Sequence, residues 1–332
     1  MVTKYITLCM QLALESLGNS PRTAHWKPTS FSDLVYLAHS TPPVALGSSA
    51  LSDFHHLLVS ALQMNMVIDE ALFLLFTILI HENTSITLEV TSSLCTVFTA
   101  LASTHIDPTI RQLNLRLLSL TLSKLPPPPR LEILLKLTTD EDFPQMRGPA
   151  VGLVKEAVLE ALALPPDHAP RNPFASPELL RMFGGVLFRP NPPGFFSERK
   201  TREELAQSLE LLRIADCLSF YYILLQRDCE NKVCLAARQF FFSFLRYTSK
   251  TGVRSKDNVT SVRNSVLWPL QQFLDEHTAG EGMPYTYIRG SMHNVAQGRT
   301  HVEQPLMAIL SLQVGLDRID GALQTLDLGR DT

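Results

Sequence analysis

The chain has 332 residues, of which 45% are apolar and only 18% are charged, and its formal net charge is −3. This length is sufficient for a large buried core, either as one elongated array or as two globular units. The weak negative charge gives no field that would attract nucleic acid or an anionic membrane. A charged fraction below the roughly 25% usual for soluble domains indicates a surface rich in apolar and uncharged polar area. Such a surface is typical of a binding protein, or of a fragment whose apolar face packs on chain that this sequence lacks.

The cysteine pattern and the apolar segments indicate the cellular compartment in which the protein is expected. The cysteines are odd in number, form no CxxC pair and have no histidine cluster beside them: Cys9, Cys95, Cys217, Cys229 and Cys234. This pattern predicts a reducing compartment and no zinc framework. Gln11 and Glu15 interrupt the apolar run near the N-terminus, so a signal peptide is not predicted. The central apolar run from Ala71 to Ile80 is shorter than the about 20 residues that cross a bilayer. We therefore expect the protein in the cytoplasm, with the nucleus as a second location.

Helical periodicity of apolar residues is found along almost the whole chain, and strand-like alternation almost nowhere. In the first half of the chain it predicts helices over residues 6–17, 52–62, 69–81, 88–101 and 109–125. Further along, it predicts helices over residues 131–137, 150–164, 177–187, 201–226, 259–270 and 302–326. Prolines fall between these segments, and the run from Pro126 to Pro129 ends one helix pair because proline cannot continue a helix.

The predicted fold class is all-α. Helices of this length in antiparallel pairs, with no sheet between them, favour an α-solenoid of irregular HEAT- or armadillo-like pairs. A compact irregular helical domain is the alternative, because no strict repeat is visible. The proline content divides the chain into an N-terminal helical array over residues 1–164, an irregular connection over 165–200 and a C-terminal helical region over 201–332.

Motifs that carry catalysis are missing from the sequence. There is no GxxxxGK[ST] phosphate loop, no GxGxxG after a strand, no HExxH and no GxSxG. His55 and His56 are adjacent on a predicted helix and face different directions, so they do not jointly hold a metal. We therefore predict no catalytic, cofactor or metal site, and no enzyme activity. An enzyme with an unrecognised helical fold stays an alternative.

The helix predicted over 201–226, together with the residue before it, carries charges of both signs. These are Lys200, Arg202 and Arg213, alternating with Glu203, Glu204 and Glu210. Mixed signs of this kind are typical of an exposed helix face and not of a nucleic-acid groove. The same helix contains Phe220, Tyr221 and Tyr222, which could form an aromatic box. Since Leu218, Tyr222 and Leu225 share one helical face, we predict core packing for this segment instead.

The most specific pattern begins where this helix ends. The residues from Arg227 to Lys232 (RDCENK) form a polar helix end, and those from Thr251 to Arg254 (TGVR) form a turn before the next helix. Gly252 can supply a positive φ in this turn. Arg227 and Arg254 can form ion pairs with neighbouring aspartates, which would hold a corner between two helices. Without residues 233–250 the two elements become adjacent.

The joined string resembles the C-terminal motif of the fungal Yap-binding proteins, which are similar to plant and animal glomulins. The matching positions are Arg227, Asp228, Asn231, Thr251, Gly252 and Arg254. The resemblance is close over the last third of the chain and rests on helical pattern elsewhere. Members of this family are usually longer, so we expect an N-terminal part to be missing. We expect these six residues either to contact a partner or to form a structural corner.

This resemblance implies a non-catalytic helical adaptor that binds partner proteins. The implied partner is either a redox-regulated transcription factor of the oxidative-stress response or the RING subunit of a cullin-type ubiquitin ligase. No cofactor, nucleic acid, membrane or small-molecule substrate is expected. A generic α-solenoid scaffold for transport or kinetochore assembly is the alternative.

Residues 233–250 interrupt the motif with a composition unlike that of their neighbours. The segment has no acidic residue and places four phenylalanines in a polar corner: Phe240, Phe241, Phe242 and Phe244. Val233-Cys234 is compatible with a GTATGT splice donor and Lys250 with an AG acceptor, and 18 codons correspond to 54 nucleotides. We predict a retained in-frame intron whose phenylalanines are largely exposed. A genuine insertion that forms an extra helix is the alternative.

Overall fold

The computed structural model describes residues 28–40, 50–80, 86–164, 172–187, 190–192, 195–196, 201, 204–205, 208–227, 267–278 and 304–328. Within these ranges it contains eleven α-helices, two short 3-10 turns and no strand, so the predicted all-α class is confirmed. The helices are α1 (Phe31–His39), α2 (Ala50–Gln63), α3 (Ile68–Ile80), α4 (Leu88–Thr104), α5 (Pro108–Ser123), α6 (Pro127–Thr138), α7 (Arg147–Ala163), α8 (Pro177–Leu187), α9 (Leu209–Arg227), α10 (Trp268–Thr278) and α11 (Gln304–Leu328). Among the described residues, none of these helices is long and apolar enough to span a membrane.

Short polar side chains cap the starts of several helices. Ser30 and Asp33 form a reciprocal capping box at the start of α1. Asp107 precedes α5 and accepts a hydrogen bond from the Thr109 N–H at 2.7 Å, with Pro108 in the first helical position. Each cap satisfies N–H groups that have no partner within the helix, so these boundaries are local properties of the sequence.

The proline run between α5 and α6 has a second role that the sequence interpretation missed. Besides ending the preceding pair, it forms the first turn of α6, which begins at Pro127. The N–H groups in the first turn of a helix have no partner within the helix, so proline loses nothing there by lacking one. Its ring also fixes φ near the helical value. The Arg130 N–H donates to the Pro126 carbonyl at 3.2 Å and starts the regular bonding pattern.

Helices α1–α5 lie in the first of two compact units, Met1–Arg130. Two pairs of helices that are neighbours in sequence pack together: α2 with α3, and α4 with α5. Helices that are two apart in sequence also pack together: α1 with α3, α2 with α4, and α3 with α5. This is the contact pattern of two rows of helices, α1, α3 and α5 in one and α2 and α4 in the other. The three-residue connection 105–107 makes α4 and α5 antiparallel neighbours. The arrangement within this unit is consistent with the predicted solenoid.

The second unit, Leu131–Thr332, is organised around α9. This helix packs against α7 on one side and α11 on another, and α10 packs on α11. The core between α9, α10 and α11 consists of buried side chains that include Leu211, Ile214, Leu218, Leu270, Phe273, Leu312, Leu316 and Ile319. Helix α7, which the sequence assigns to the N-terminal array, thus packs within the second unit. The three-part division of the chain itself stays a prediction.

Several predicted segments differ from the observed ones in their bounds. The helix predicted over 201–226 is interrupted: Glu204 and Leu205 are helical, Ser208 is not, and α9 begins at Leu209, where the Ser208 hydroxyl accepts from the Glu210 N–H at 3.3 Å. The helix predicted over 177–187 is observed with those bounds as α8, and the connection predicted as irregular over 165–200 contains a further 3-10 turn at Pro173–Ala175. Of the helix predicted over 259–270, residues 259–266 lie outside the described residues, and the described part belongs to α10, which ends only at Thr278. The predicted helix over 6–17 lies outside the described residues.

Candidate functional site

The predicted polar corner begins at the C-terminal end of α9. Arg227 is the last residue of this helix, and its side chain is exposed. The other five residues of the motif lie outside the described residues: Asp228, Asn231, Thr251, Gly252 and Arg254. The interrupting segment 233–250 and its phenylalanines lie outside them as well. The corner therefore stays a prediction. The structure shows only the helix end that precedes it, at Arg227.

The opposite end of α9 contains a buried ion pair between Glu210 and Arg213. The Arg213 Nε donates to Glu210 Oε2 at 2.7 Å, and Arg213 Nη2 donates to Glu210 Oε1 at 2.6 Å. The two side chains are only 4% (Arg213) and 8% (Glu210) exposed. This two-bond geometry is the strongest form of carboxylate–guanidinium pairing, because both partners are charged and planar.

Two backbone segments distant in sequence complete this pair. The Arg213 Nη1 donates to the Val186 carbonyl, in the last turn of α8, at 2.6 Å. The Asn191 N–H donates to Glu210 Oε1 at 2.7 Å. The ion pair therefore ties the end of α8 and the turn at residues 190–192 to the first turn of α9.

The sequence interpretation of these charges as an exposed helix face is wrong for Glu210 and Arg213. Glu204 is exposed as expected, while Lys200, Arg202 and Glu203 lie outside the described residues. A signal was present, because Arg213 shares its helical face with Cys217 and Phe220, which are apolar and fully buried in the structure. A charge four and seven residues before buried apolar positions on one helix is expected to face the same core.

The electrostatics of the pair favour the charged form of Arg213. Burial on its own lowers the pKa of the Arg213 guanidinium, but the hydrogen bonds and the charge of Glu210 outweigh it and the pKa is raised. Arg213 therefore stays a cation inside the protein. A buried charge of this kind is tolerated only when its partner and hydrogen bonds are complete, which the Val186 and Glu210 contacts provide.

A cavity of about 390 Å³ opens beside this ion pair. Its lining residues are Pro144, Arg147, Asn191, Pro192, Phe195, Glu204, Ser208, Leu209, Glu210 and Arg213. The charged groups are already engaged with protein atoms: Glu204 Oε2 accepts from the Thr201 N–H at 2.7 Å, and Arg147 Nε donates to the Asp140 carbonyl at 2.8 Å. No histidine, cysteine or serine–base pair among the described lining residues assembles a nucleophile there.

The other residues singled out from the sequence are placed as follows. His55 is buried and His56 exposed, yet their rings lie 3.7 Å apart, so the two side chains are closer than the sequence interpretation assumed. In the part of the chain that is described, no three His, Cys, Asp or Glu side chains converge as metal ligands. Tyr222 and Leu225 pack against the core cluster beside Leu218, which confirms core packing for this face of α9.

Cys95 and Cys217 are expected to resist alkylation in the folded protein. Burial raises the pKa of each thiol to about 12, so on the order of one thiol in 10⁴ is a thiolate at pH 8. We expect iodoacetamide to modify both cysteines only after unfolding in guanidinium chloride, as measured by mass spectrometry of their peptides. Labelling of either residue in the native protein at the rate seen in the unfolded chain would show that it is accessible.

The described helices define an all-α protein of the helical-array class. A family model described as "Uncharacterised protein family, YAP/Alf4/glomulin" matches residues 19–287, and the chain belongs to this family. The matched range contains α1–α10, so the relationship found in the C-terminal motif extends over most of the chain. A search of curated proteins found no match.

Proposed function

We propose that this protein is a non-catalytic adaptor that binds partner proteins, without a cofactor or metal. The observation that carries the proposal is the two-row stacking of α1–α5 in a chain of the YAP/Alf4/glomulin family. Stacked helices bury a continuous core between the rows and leave long outer faces for other proteins. The engaged charges of the cavity beside Arg213 support binding at the surface rather than chemistry in the interior.

Two kinds of partner are implied by the resemblance of the motif at residues 227–254 to the Yap-binding proteins and glomulins. One is a redox-regulated transcription factor of the oxidative-stress response, and the other is the RING subunit of a cullin-type ubiquitin ligase. Both would be met in the cytoplasm or the nucleus. The short name of the family model refers to the kinetochore, which favours a scaffold in that assembly as the second candidate function.

We propose one partner contact in the region from Thr201 onward, at the corner predicted from the sequence around Arg227 and Arg254. Arg227 is exposed at the end of α9 and is therefore available to an acidic surface. Charged residues at the rim of an interface steer association and select partners by charge complementarity.

Charge reversal at the corner is expected to weaken partner binding. The double variant Arg227→Glu/Arg254→Glu should bind the purified RING subunit or the purified transcription factor about tenfold more weakly, as measured by titration calorimetry. Arg116→Glu is the matched control, since Arg116 is exposed on α5 in the other unit and should leave affinity unchanged. Unfolding of the double variant, seen by circular dichroism, would make the corner structural while the adaptor proposal stands. Turnover of a small-molecule substrate by the purified protein would contradict the adaptor proposal itself.

A further inference from the structure

The cavity beside the Glu210–Arg213 ion pair contains one charged group that the fold uses only in part. Arg147 lines this cavity of about 390 Å³, and its Nε donates to the Asp140 carbonyl at 2.8 Å. Its Nη1 and Nη2 atoms make no hydrogen bond or ion pair with any described residue. The side chain is half-buried, so two unused donors of a permanently charged group are held at the cavity wall.

The shape of this unused group selects its ligand. A guanidinium that is bound through Nε still offers two parallel N–H bonds from Nη1 and Nη2, the fork that binds both oxygens of one carboxylate. The Asp140 contact already restrains the Arg147 side chain, so less conformational freedom is lost on binding than for a free arginine. Because Glu210 neutralises Arg213, Arg147 is the one unpaired cation of the described lining.

Two helices begin at the cavity, and both of their ends favour an anion. Arg147 is the first residue of α7 and Leu209 the first of α9, and both residues line the cavity. The start of α7 has no side-chain cap. The N-terminal end of a helix carries partial positive charge. Glu204, also in the lining, is exposed to solvent, which screens its charge, and its Oε2 accepts from the Thr201 N–H at 2.7 Å.

The rest of the lining fits an apolar body with one polar end. Phe195 is only 3% exposed, and its ring packs edge-to-face on that of Phe196 with centroids 5.5 Å apart, which makes a fixed aromatic wall. The Ser208 hydroxyl accepts from the Glu210 N–H, and its own O–H has no acceptor among the described residues. Further apolar lining residues are Pro144, Pro192 and Leu209.

We propose that this cavity binds a monocarboxylate, with the carboxyl group paired to Nη1 and Nη2 of Arg147 and an aromatic or aliphatic body against Phe195. One unpaired cation suits a monoanion better than a phosphate dianion, which Glu204 would also repel. The volume of about 390 Å³ falls within the roughly 300–1,000 Å³ of small-ligand sites. The same chemistry is supplied by a free acid or by the C-terminus of a peptide. This inference goes beyond the adaptor function and does not depend on it.

Saturation-transfer NMR on the full chain tests the site with 3-phenylpropionate as the probe. We expect a dissociation constant on the order of 1 mM, and binding about tenfold weaker for 3-phenylpropionamide, which has the same shape without the charge. Arg147→Gln should weaken binding of the acid about tenfold, whereas Arg116→Gln, at an exposed arginine of α5, should leave it unchanged. Equal binding of acid and amide, equal effects of the two variants, or displacement of the acid by equimolar inorganic phosphate would overturn the proposal.

A short peptide distinguishes the two sources of the carboxylate. The probe is acetyl-Ala-Ala-Phe with a free C-terminal carboxyl group, compared with its C-terminal amide. Binding of the free acid about tenfold more tightly than 3-phenylpropionate, and of the amide more weakly, supports the proposal with a chain terminus as the ligand. Binding of 3-phenylpropionate at least as tight as that of the peptide supports it with a small acid as the ligand.

A second variant decides the question if circular dichroism shows that Arg147→Gln does not fold. Leu209 lines the cavity and is 49% exposed, so Leu209→Trp adds bulk at the cavity while the contact between Arg147 and Asp140 is kept. We expect this variant to lose binding of 3-phenylpropionate, because the larger ring occupies the space of the ligand. Unchanged affinity of Leu209→Trp would sink the carboxylate site. No partner protein enters these measurements, so their failure leaves the adaptor proposal standing.

Discussion

Replacing Arg213 with methionine is expected to destabilise the protein by about 3–5 kcal/mol. The substitution leaves the Glu210 carboxylate buried without its guanidinium partner, at 8% exposure. It also removes the hydrogen bond to the Val186 carbonyl, which then has no donor from α9. The free energy of unfolding, measured by guanidinium chloride titration with circular dichroism, gives the size of the loss.

The chain contains a matched control for this prediction. Glu178 and Arg181 on α8 form an ion pair with the same three-residue spacing and an Nη2–Oε1 distance of 2.8 Å, but their side chains are 46% and 68% exposed. Arg181→Met should therefore cost no more than about 1 kcal/mol. The two variants make the same substitution at the same spacing, and the pairs differ in burial and in the number of hydrogen bonds that the arginine donates.

A double variant separates the contribution of the unpaired charge to the stability loss from that of the lost hydrogen bonds. In Glu210→Leu/Arg213→Met both charges are absent, so we expect the loss to be smaller than in Arg213→Met alone. Some loss should persist, because the Asn191 N–H no longer has its carboxylate acceptor. Equal stability losses for Arg213→Met and Arg181→Met would mean that the buried pair does not hold α8 and α9 together.

Replacing Gly315 with leucine is expected to destabilise the second unit by about 1–3 kcal/mol through overpacking. A Cβ added at Gly315 would lie 3.1 Å from both Cβ and Cδ1 of Leu218, which is buried in the core of α9. The missing side chain lets α9 and α11 approach closely at this point. A larger residue must displace Leu218 or separate the two helices.

Gly321→Leu on the same helix is the control. A Cβ at Gly321 would have no heavy atom within 4 Å, so only the helix propensity changes. Leucine is favoured over glycine in a helix by roughly 0.8 kcal/mol, and the control should be neutral or stabilised. Both variants are compared by their midpoints in chemical unfolding. A stabilised Gly315→Leu variant would show that the contact with Leu218 relaxes without cost.

Much of the local structure was predictable because its causes are local. The helices that correspond to α3, α4 and α5 were predicted to within a few residues, since apolar periodicity and capping side chains act over one or two turns. The bounds of α6 were missed because proline both ends and begins helices. Whether Pro127 stops one helix or starts another depends on the turn of chain that follows it.

The exposed apolar side chains of α3 (Phe73, Phe76 and Ile80) and the buried pair on α9 show the limit of sequence reasoning. The run from Ala71 to Ile80 is so uniformly apolar that its sequence does not distinguish the buried Leu75 from the exposed Phe76. That distinction depends on which sides of α3 meet α1, α2 and α5. Non-local packing is not encoded in periodicity when every side of a helix is apolar.

The sequence by itself determined the all-α class, most helix positions and, through the motif at the end of α9, the family of this protein. These depend on hydrogen bonding within a turn, on proline geometry and on a short residue pattern. Only the tertiary structure decided that Glu210 and Arg213 are buried, whereas Glu178 and Arg181 at the same spacing are exposed. The reason is that Val186 and Asn191, 27 and 19 residues away from their hydrogen-bond partners in sequence, come to cover the first pair. Burial of a charge is set by what packs against it, and not by its own residue type.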